Sequence, residues 1–408
     1  VLFQLVLPFG QACLLSAGFF AGYLFYDLAL IGAFLSFGSD FSKEKTWGAG
    51  VELALKLLLI VWAWEQVTLF VNRFGDPFDS QEPRRALVYG IQLTGLLLLV
   101  SVVVVSVVES VKGNTMASVD DELSYAAAGV VLAVAILYEL GGLWRPPLKA
   151  LANRRRNAAL VAAVFFLASA PLTGALSVAS WVAGLTAVLL ATLGPGLGET
   201  LHRFPINRDH FSERLALFVL ILIGEVFVKN VVTSHTVDQA TTDVLQLGFV
   251  AVICWMIWTT YQHEILVHGT PERAGALRGW SAGHYLLSFA LIVASVGLVW
   301  YVTPDRATPV GDWIAMIACG GTGLAMLAIA LIRLARGGDH ARGAAGRILL
   351  IALVAFAIGL LAWLATPSDW RVGVGTLAVA LVALNAWRAR SESGERGAAS
   401  GESGASAG

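Results

Sequence analysis

The sequence predicts an all-α, polytopic transmembrane helix bundle. Three observations carry that expectation. Hydrophobic residues make up 57% of the chain and charged residues only 13%, with a mean hydropathy of +0.74; about a quarter of a soluble domain is charged. Apolar runs of about twenty residues recur from end to end, each long enough to cross ~30 Å of hydrocarbon. Runs such as "LLLLVSVVVVSVV" (96–108) are apolar on every face, whereas a membrane β-barrel would alternate apolar with polar residues.

Taken in order, the spans are expected near residues 12–37, 49–71, 86–108, 124–143, 157–173, 176–194, 211–233, 244–266, 282–302, 312–335, 345–365 and 371–388. That makes about twelve. The fifth and sixth are divided only by Thr173 and Gly174. Loops after even-numbered spans hold about 19 Lys+Arg and loops after odd-numbered spans about 5, an asymmetry that places the even-side loops in the cytoplasm. Both termini are then cytoplasmic, in a multi-pass protein of the cell (cytoplasmic) membrane. The "RRR" at 154–156 falls in the most basic of these loops. There it serves orientation and contact with anionic lipid.

The net charge of −1 gives no nucleic-acid footprint. Cys13, Cys254 and Cys319 all lie in apolar runs and read as small core residues, not as a disulfide framework or a metal site. No P-loop, dinucleotide fingerprint or HExxH element is present, so neither a metal nor a cofactor is expected. The start "VLFQLVLPFG" lacks a basic segment, so the first span is expected to be retained and not cleaved as a signal peptide. Residues 1–390 then form the transmembrane domain. The Gly/Ser/Ala-rich stretch 391–408 has no apolar run and is expected to be disordered. "GFFAG" (18–22) has GxxxG spacing, which suits close helix approach within one chain or between two.

The membrane must also tolerate charges. Asp27, Glu52, Glu65, Glu139, Glu213, Glu225 and Glu264 fall in the apolar runs, as do Lys56, Arg214 and Lys229. A charge at a helix centre costs ~2.5–3.5 kcal/mol on insertion scales, so each requires a partner, water or a protonated state. Glu52 with Lys56 and Glu225 with Lys229 have i,i+4 spacing with the acid first, the better orientation for a pair. Both lysines could also extend toward the outer interface. Asp27 has no basic residue within a helical turn on either side. It is expected to meet a basic or polar group of another helix, Arg214 or Lys229 among them.

The stretch "HFSERLALFVLILIGEVF" (210–227) poses the sharpest question. Asp209 would cap the helix and Glu213 would suit its dipole. Neither accounts for Glu225, twelve residues and ~18 Å deeper. Arg214 and Glu225 fall within ~20° on the helical wheel, a cation near the cytoplasm and an acid in mid-membrane on one face. Asn72, Arg73, His263, Glu264 and His284 fall at the cytoplasmic ends of other spans. Singly each suits an interface; with His210, Glu213 and Arg214 they would line a vestibule.

"LFYDLALIGAFL" (24–35), "WAWEQVTLFVNRFGDP" (62–77), "HFSERLALFVLILIGE" (210–225) and "RGWSAGHYLLSFALIVASVG" (278–297) resemble, in order, the motifs of the bacterial low temperature requirement protein A family. Asp27 matches the acid of the first motif, and Asn72 to Phe74 match the second. His210, Phe211, Glu213, Arg214 and Glu225 match the third, and His284 the fourth. Tyr23 stands where the family has a leading acid, and Gly75 where it has one after NRF, with Asp76 one position later. The resemblance implies a multi-pass membrane protein and assigns no reaction.

Three functional classes follow. The first is a transporter or channel for an ion or small solute, with or without proton linkage, with Asp27, Asn72, Arg73, His210, Glu213, Arg214, Glu225 and His284 as polar-path candidates. Intramembrane ionisable residues mark such paths, and the Gly/Pro-interrupted "TLGPGLGE" (192–199) would suit a broken helix. The second is a membrane-embedded enzyme on a lipid-like substrate, using acids and histidines near the interface, although no nucleophile elbow or metal spacing is seen. The third is a receptor or scaffold whose polar residues only join helices.

Overall fold

Gly174 stands at φ 59°, a backbone conformation that glycine adopts without strain, and it ends one helix hairpin arm and begins the next. Five residues, 170–174, thus separate two helices in what would otherwise read as one long apolar stretch. In the computed structural model, residues 47–74, 117–194, 196–234, 243–302, 311–337, 339–365 and 372–387 are described. Every regular element among them is helical. They are α1 (Trp47–Phe74), α2 (Ala117–Trp144), α3 (Lys149–Ser169), α4 (Ala175–Leu193), α5 (Leu197–Arg203), α6 (Arg208–Ser234), α7 (Asp243–Glu264), α8 (Ala274–Val302), α9 (Gly311–Arg336), α10 (Asp339–Ala365) and α11 (Val372–Trp387).

Eight of these, α1, α2, α4 and α6 to α10, are long and apolar enough to cross a membrane. Their outward faces fit that solvent: Leu353, Leu361 and Leu364 of α10 and Leu176 and Leu190 of α4 are exposed apolar side chains. The expected first and third spans, with Asp27, Cys13 and "GFFAG", lie outside the described residues, as does the stretch 391–408.

The basic run does not lie in a loop. Pro146 and Pro147 start a 3₁₀ turn, and α3 begins at Lys149, eight residues before the expected span. Arginine is a good helix former, so 154–156 continues the helix. A second correction concerns the start of α6. Asn207 caps it, not Asp209: Asn207 Oδ1 accepts from the His210 N–H at 3.2 Å, and its carbonyl accepts from the Phe211 N–H at 3.1 Å. Asparagine is as good a cap as aspartate, and the two residues of slack place Asp209 in the first turn instead.

The chain divides into two compact units, residues 1–211 and 212–408. In the first, α3 packs between α2 and α4, and α1 packs against both of those. "TLGPGLGE" ends α4 and gives the short helix α5, about two turns long. In the second, α9 is central, with α8, α10 and α7 around it. The seam between α8 and α9 is built on small residues. A Cβ on Gly297 would fall 2.4 Å from the Ala318 nitrogen, and one on Gly321 2.5 Å from the Ala294 nitrogen. Backbones in contact gain dispersion along the whole seam, which is how helices associate in lipid.

Candidate functional site

Four helices of the first unit bring one polar hub into its interior. Trp62 and Gln66 lie one turn apart on α1, and Arg73 recurs on the same stripe seven residues after Gln66. Tyr138 comes from α2, Arg155 from α3 and Thr192 from α4, and all six side chains are buried. The Thr192 hydroxyl accepts from Trp62 Nε1 and Gln66 Nε2, each at 3.2 Å, and from Arg155 Nη1. It donates to the Val188 carbonyl at 2.8 Å. Gln66 Oε1 accepts from Tyr138 Oη and Arg155 Nη1, each at 3.3 Å. Helical rotation of ~100° per residue sends the three consecutive arginines of α3 three ways. Arg155 enters the hub, Arg156 pairs with Glu139 of α2, and Arg154 lies against Gly196.

The "NRF" stretch at the end of α1 is dispersed by the same rotation. Asn72 Nδ2 donates to the Asn207 carbonyl at 2.9 Å, and Asn72 Oδ1 accepts from the Asn207 N–H at 2.7 Å. Phe74 stacks on Phe70 with ring centroids 4.6 Å apart, and both rings meet Tyr138 edge-on. Arg73 points inward, 8% exposed, where the charges of Arg155 and Glu65 and the Tyr138 phenol act on it. Its Nε and Nη1 have no hydrogen-bond partner among the described residues.

In the second unit, Glu225 is 3% exposed and belongs to the interior. Lys229, one turn on along α6, and Cys254 of α7 are within electrostatic reach, and Ser295 of α8 lies beside it. Neither carboxylate oxygen meets hydrogen-bond geometry, and the Ser295 hydroxyl does not either. Arg214 is buried on the same helix, eleven residues and ~16 Å toward its N-terminus, so the two do share a face. Glu213 is exposed and His210 half-buried. Of the two i,i+4 pairs expected, Glu52 and Lys56 form an ion pair on α1.

His284 is 2% exposed and fully engaged. Its Nδ1 donates to the Trp280 carbonyl at 2.8 Å, which leaves Nε2 to accept from the Tyr261 hydroxyl at 3.0 Å. It is therefore a packed residue of α8 and not an interface residue, enclosed by the Trp280 and Tyr261 rings. Glu264 at the end of α7 is buried against Arg333 of α9 at 3.4 Å, with His263 at 3.5 Å. Among the described residues no group of three or more His, Cys, Asp or Glu could hold a metal ion.

Sequence reasoning missed Arg155, Gln66 and Thr192. A signal for Arg155 was present: Leu151, Ala152, Ala159, Ala162 and Ala163 form the buried stripe of α3, and Arg155 falls on it.

Apolar helices of membrane-crossing length with ionisable side chains folded inward define an integral membrane protein. The model of the bacterial low temperature requirement A protein family matches residues 24–389, and the chain belongs to that family. It is similar to an uncharacterized protein of Rhizobium meliloti (strain 1021), 22% identical over 290 residues, which are 68% of this chain and 66% of that relative. The chain thus spans just under two thirds of that relative's length. No solved structure matches.

Proposed function

We propose that the protein is a transporter or channel for an ion or small solute, with or without proton linkage, in the cytoplasmic membrane. The observation that carries this reading is Glu225. A carboxylate 3% exposed near the middle of α6, with neither oxygen hydrogen-bonded among the described residues, is costly to retain for structure alone. Arg214 on the same buried face supplies a cation nearer the helix N-terminus. Together they suit a polar path running along α6. Asp27, Asn72, Arg73, His210, Glu213 and His284 remain candidates for such a path; of these, Asn72 and His284 are held by their own hydrogen bonds.

The topology proposed with it has about twelve spans and cytoplasmic termini. It adds to the eight long apolar helices α3, α11 and the segments 12–37 and 86–108. The bilayer is the partner, and the loop charge asymmetry supports the orientation.

The test is flux. Purified protein in proteoliposomes, with a pH gradient imposed, is expected to dissipate it faster than protein-free vesicles, or to do so when a panel of small ions and solutes is added. Vesicles as tight as protein-free controls under every condition would overturn the reading. Turnover of the vesicle lipid instead would point to an enzyme.

A further inference from the structure

We infer that the inner end of the first unit holds a binding site for the phosphate group of an anion, built on Arg73 and Arg155. The two guanidinium groups are 8% and 3% exposed and act on each other electrostatically. Glu65, 4% exposed, is the carboxylate that acts on both Arg73 and Tyr138. Arg155 is held in place by Thr192 and Gln66. Arg73 is not: among the described residues it makes no hydrogen bond, and its Nε and Nη1 are buried. A buried guanidinium with open N–H groups is a strong demand for an acceptor. Oxyanions answer it best, because the planar fork matches phosphate geometry.

Position narrows the ligand. Arg73 is the penultimate residue of α1, and Arg155 lies in the second turn of α3. Tyr138 is within two turns of the end of α2, and Thr192 is the penultimate residue of α4. The site therefore lies within a turn or two of the helix ends, at the depth where an apolar span meets water. Phospholipid phosphates sit at that depth, and a soluble phosphate reaches it from the aqueous side. Both present the same group. The inference does not depend on transport.

The test uses the full chain purified in a neutral detergent, with thermal unfolding read by tryptophan fluorescence. Inorganic phosphate is titrated at constant ionic strength. Separately, phosphatidylglycerol is titrated into the same neutral-detergent micelles, with phosphate-free diacylglycerol as the control. A saturable rise in unfolding temperature with phosphate would assign a soluble anion; a rise with phosphatidylglycerol only would assign a lipid headgroup. In either case Arg73→Gln is expected to weaken the response about tenfold or more, the loss of one charge-assisted pair. Arg73→Lys keeps the charge without the fork and is expected to fall between. Arg156→Gln, outside the hub, is expected to respond as the parent does. Without either ligand, Arg73→Gln is expected to be at least as stable as the parent, because it removes an uncompensated buried cation. The inference is overturned if neither probe gives a saturable response, or if Arg73→Gln responds as the parent does. It is also overturned if Arg73→Gln fails to fold or unfolds at lower temperature without ligand, since a carboxylate of the chain would then already occupy Arg73.

Discussion

Asn72 and Asn207 are joined by two hydrogen bonds, the side-chain amide of one closing on the backbone N–H and carbonyl of the other at 2.7 and 2.9 Å. The last turn of α1 thereby fixes the residue that caps α6, 135 positions later in the chain. Asn72→Ala removes both bonds at a half-buried site and is expected to cost about 1 kcal/mol of stability. Asn72→Asp keeps the acceptor and is expected to lose less. Hydrogen exchange at Asn207 to Phe211 checks this directly: protection there should fall in Asn72→Ala, and unchanged protection would show that the pair does not order the cap.

The Thr192 hydroxyl is the acceptor on which Trp62, Gln66 and Arg155 converge. Thr192→Val keeps the shape and leaves buried donors without that acceptor. We expect a loss of about 1–3 kcal/mol, read as a lower midpoint of thermal unfolding in detergent. Thr192→Ser should retain most of the stability. Equal losses in the two variants would mean that the methyl group matters more than the hydroxyl.

Gly297 and Gly320 make a matched pair of tests for the α8–α9 seam. A Cβ on Gly297 would meet the backbone of α9, so Gly297→Ala is expected to destabilise by about 1–3 kcal/mol. A Cβ on Gly320 meets nothing within 4 Å. Gly320→Ala is therefore expected to be neutral, or to stabilise by up to about 1 kcal/mol through helix propensity. If both behave alike, close backbone approach is not what holds the seam.

Topology is tested by accessibility. With Cys13, Cys254 and Cys319 replaced by Ala, a single cysteine at Asp238→Cys is expected to react with an impermeant maleimide added to intact cells. One at Lys149→Cys is expected to react only after the cells are opened. The opposite pattern would invert the proposed orientation.

Much of the fold was legible because the membrane imposes a coarse rule: apolar length sets helix existence. The division at Thr173 and Gly174 was readable from two residues, and Gly174 supplies the positive φ that such a turn uses. Helix starts were less legible. Asn207 and Asp209 are both good caps, and the choice between them rests on Asn72, far away in sequence. The burial of Glu225 followed from its cost in lipid, and its sharing of a face with Arg214 from the helical period. The role of Arg155 was obscured by its neighbours. Three arginines in a row look like a surface feature, yet a helix turns each toward a different environment, and the alanine stripe on which Arg155 lies decides that it is buried. His284 shows the reverse case, a polar residue near a helix end whose partners Tyr261 and Trp280 absorb it completely.

The most direct test of the central claim is the conservative substitution of Glu225. Gln has almost the same shape and removes the charge that the buried site of α6 holds. Glu225→Gln is expected to express and unfold like the parent, within about 1 kcal/mol, because no hydrogen bond to its oxygens is lost among the described residues. The parent's flux in proteoliposomes is expected to disappear in the variant. If Glu225→Gln unfolds the protein, or carries flux at the parent's rate, the carboxylate belongs to the packing of the helices and not to a path through them.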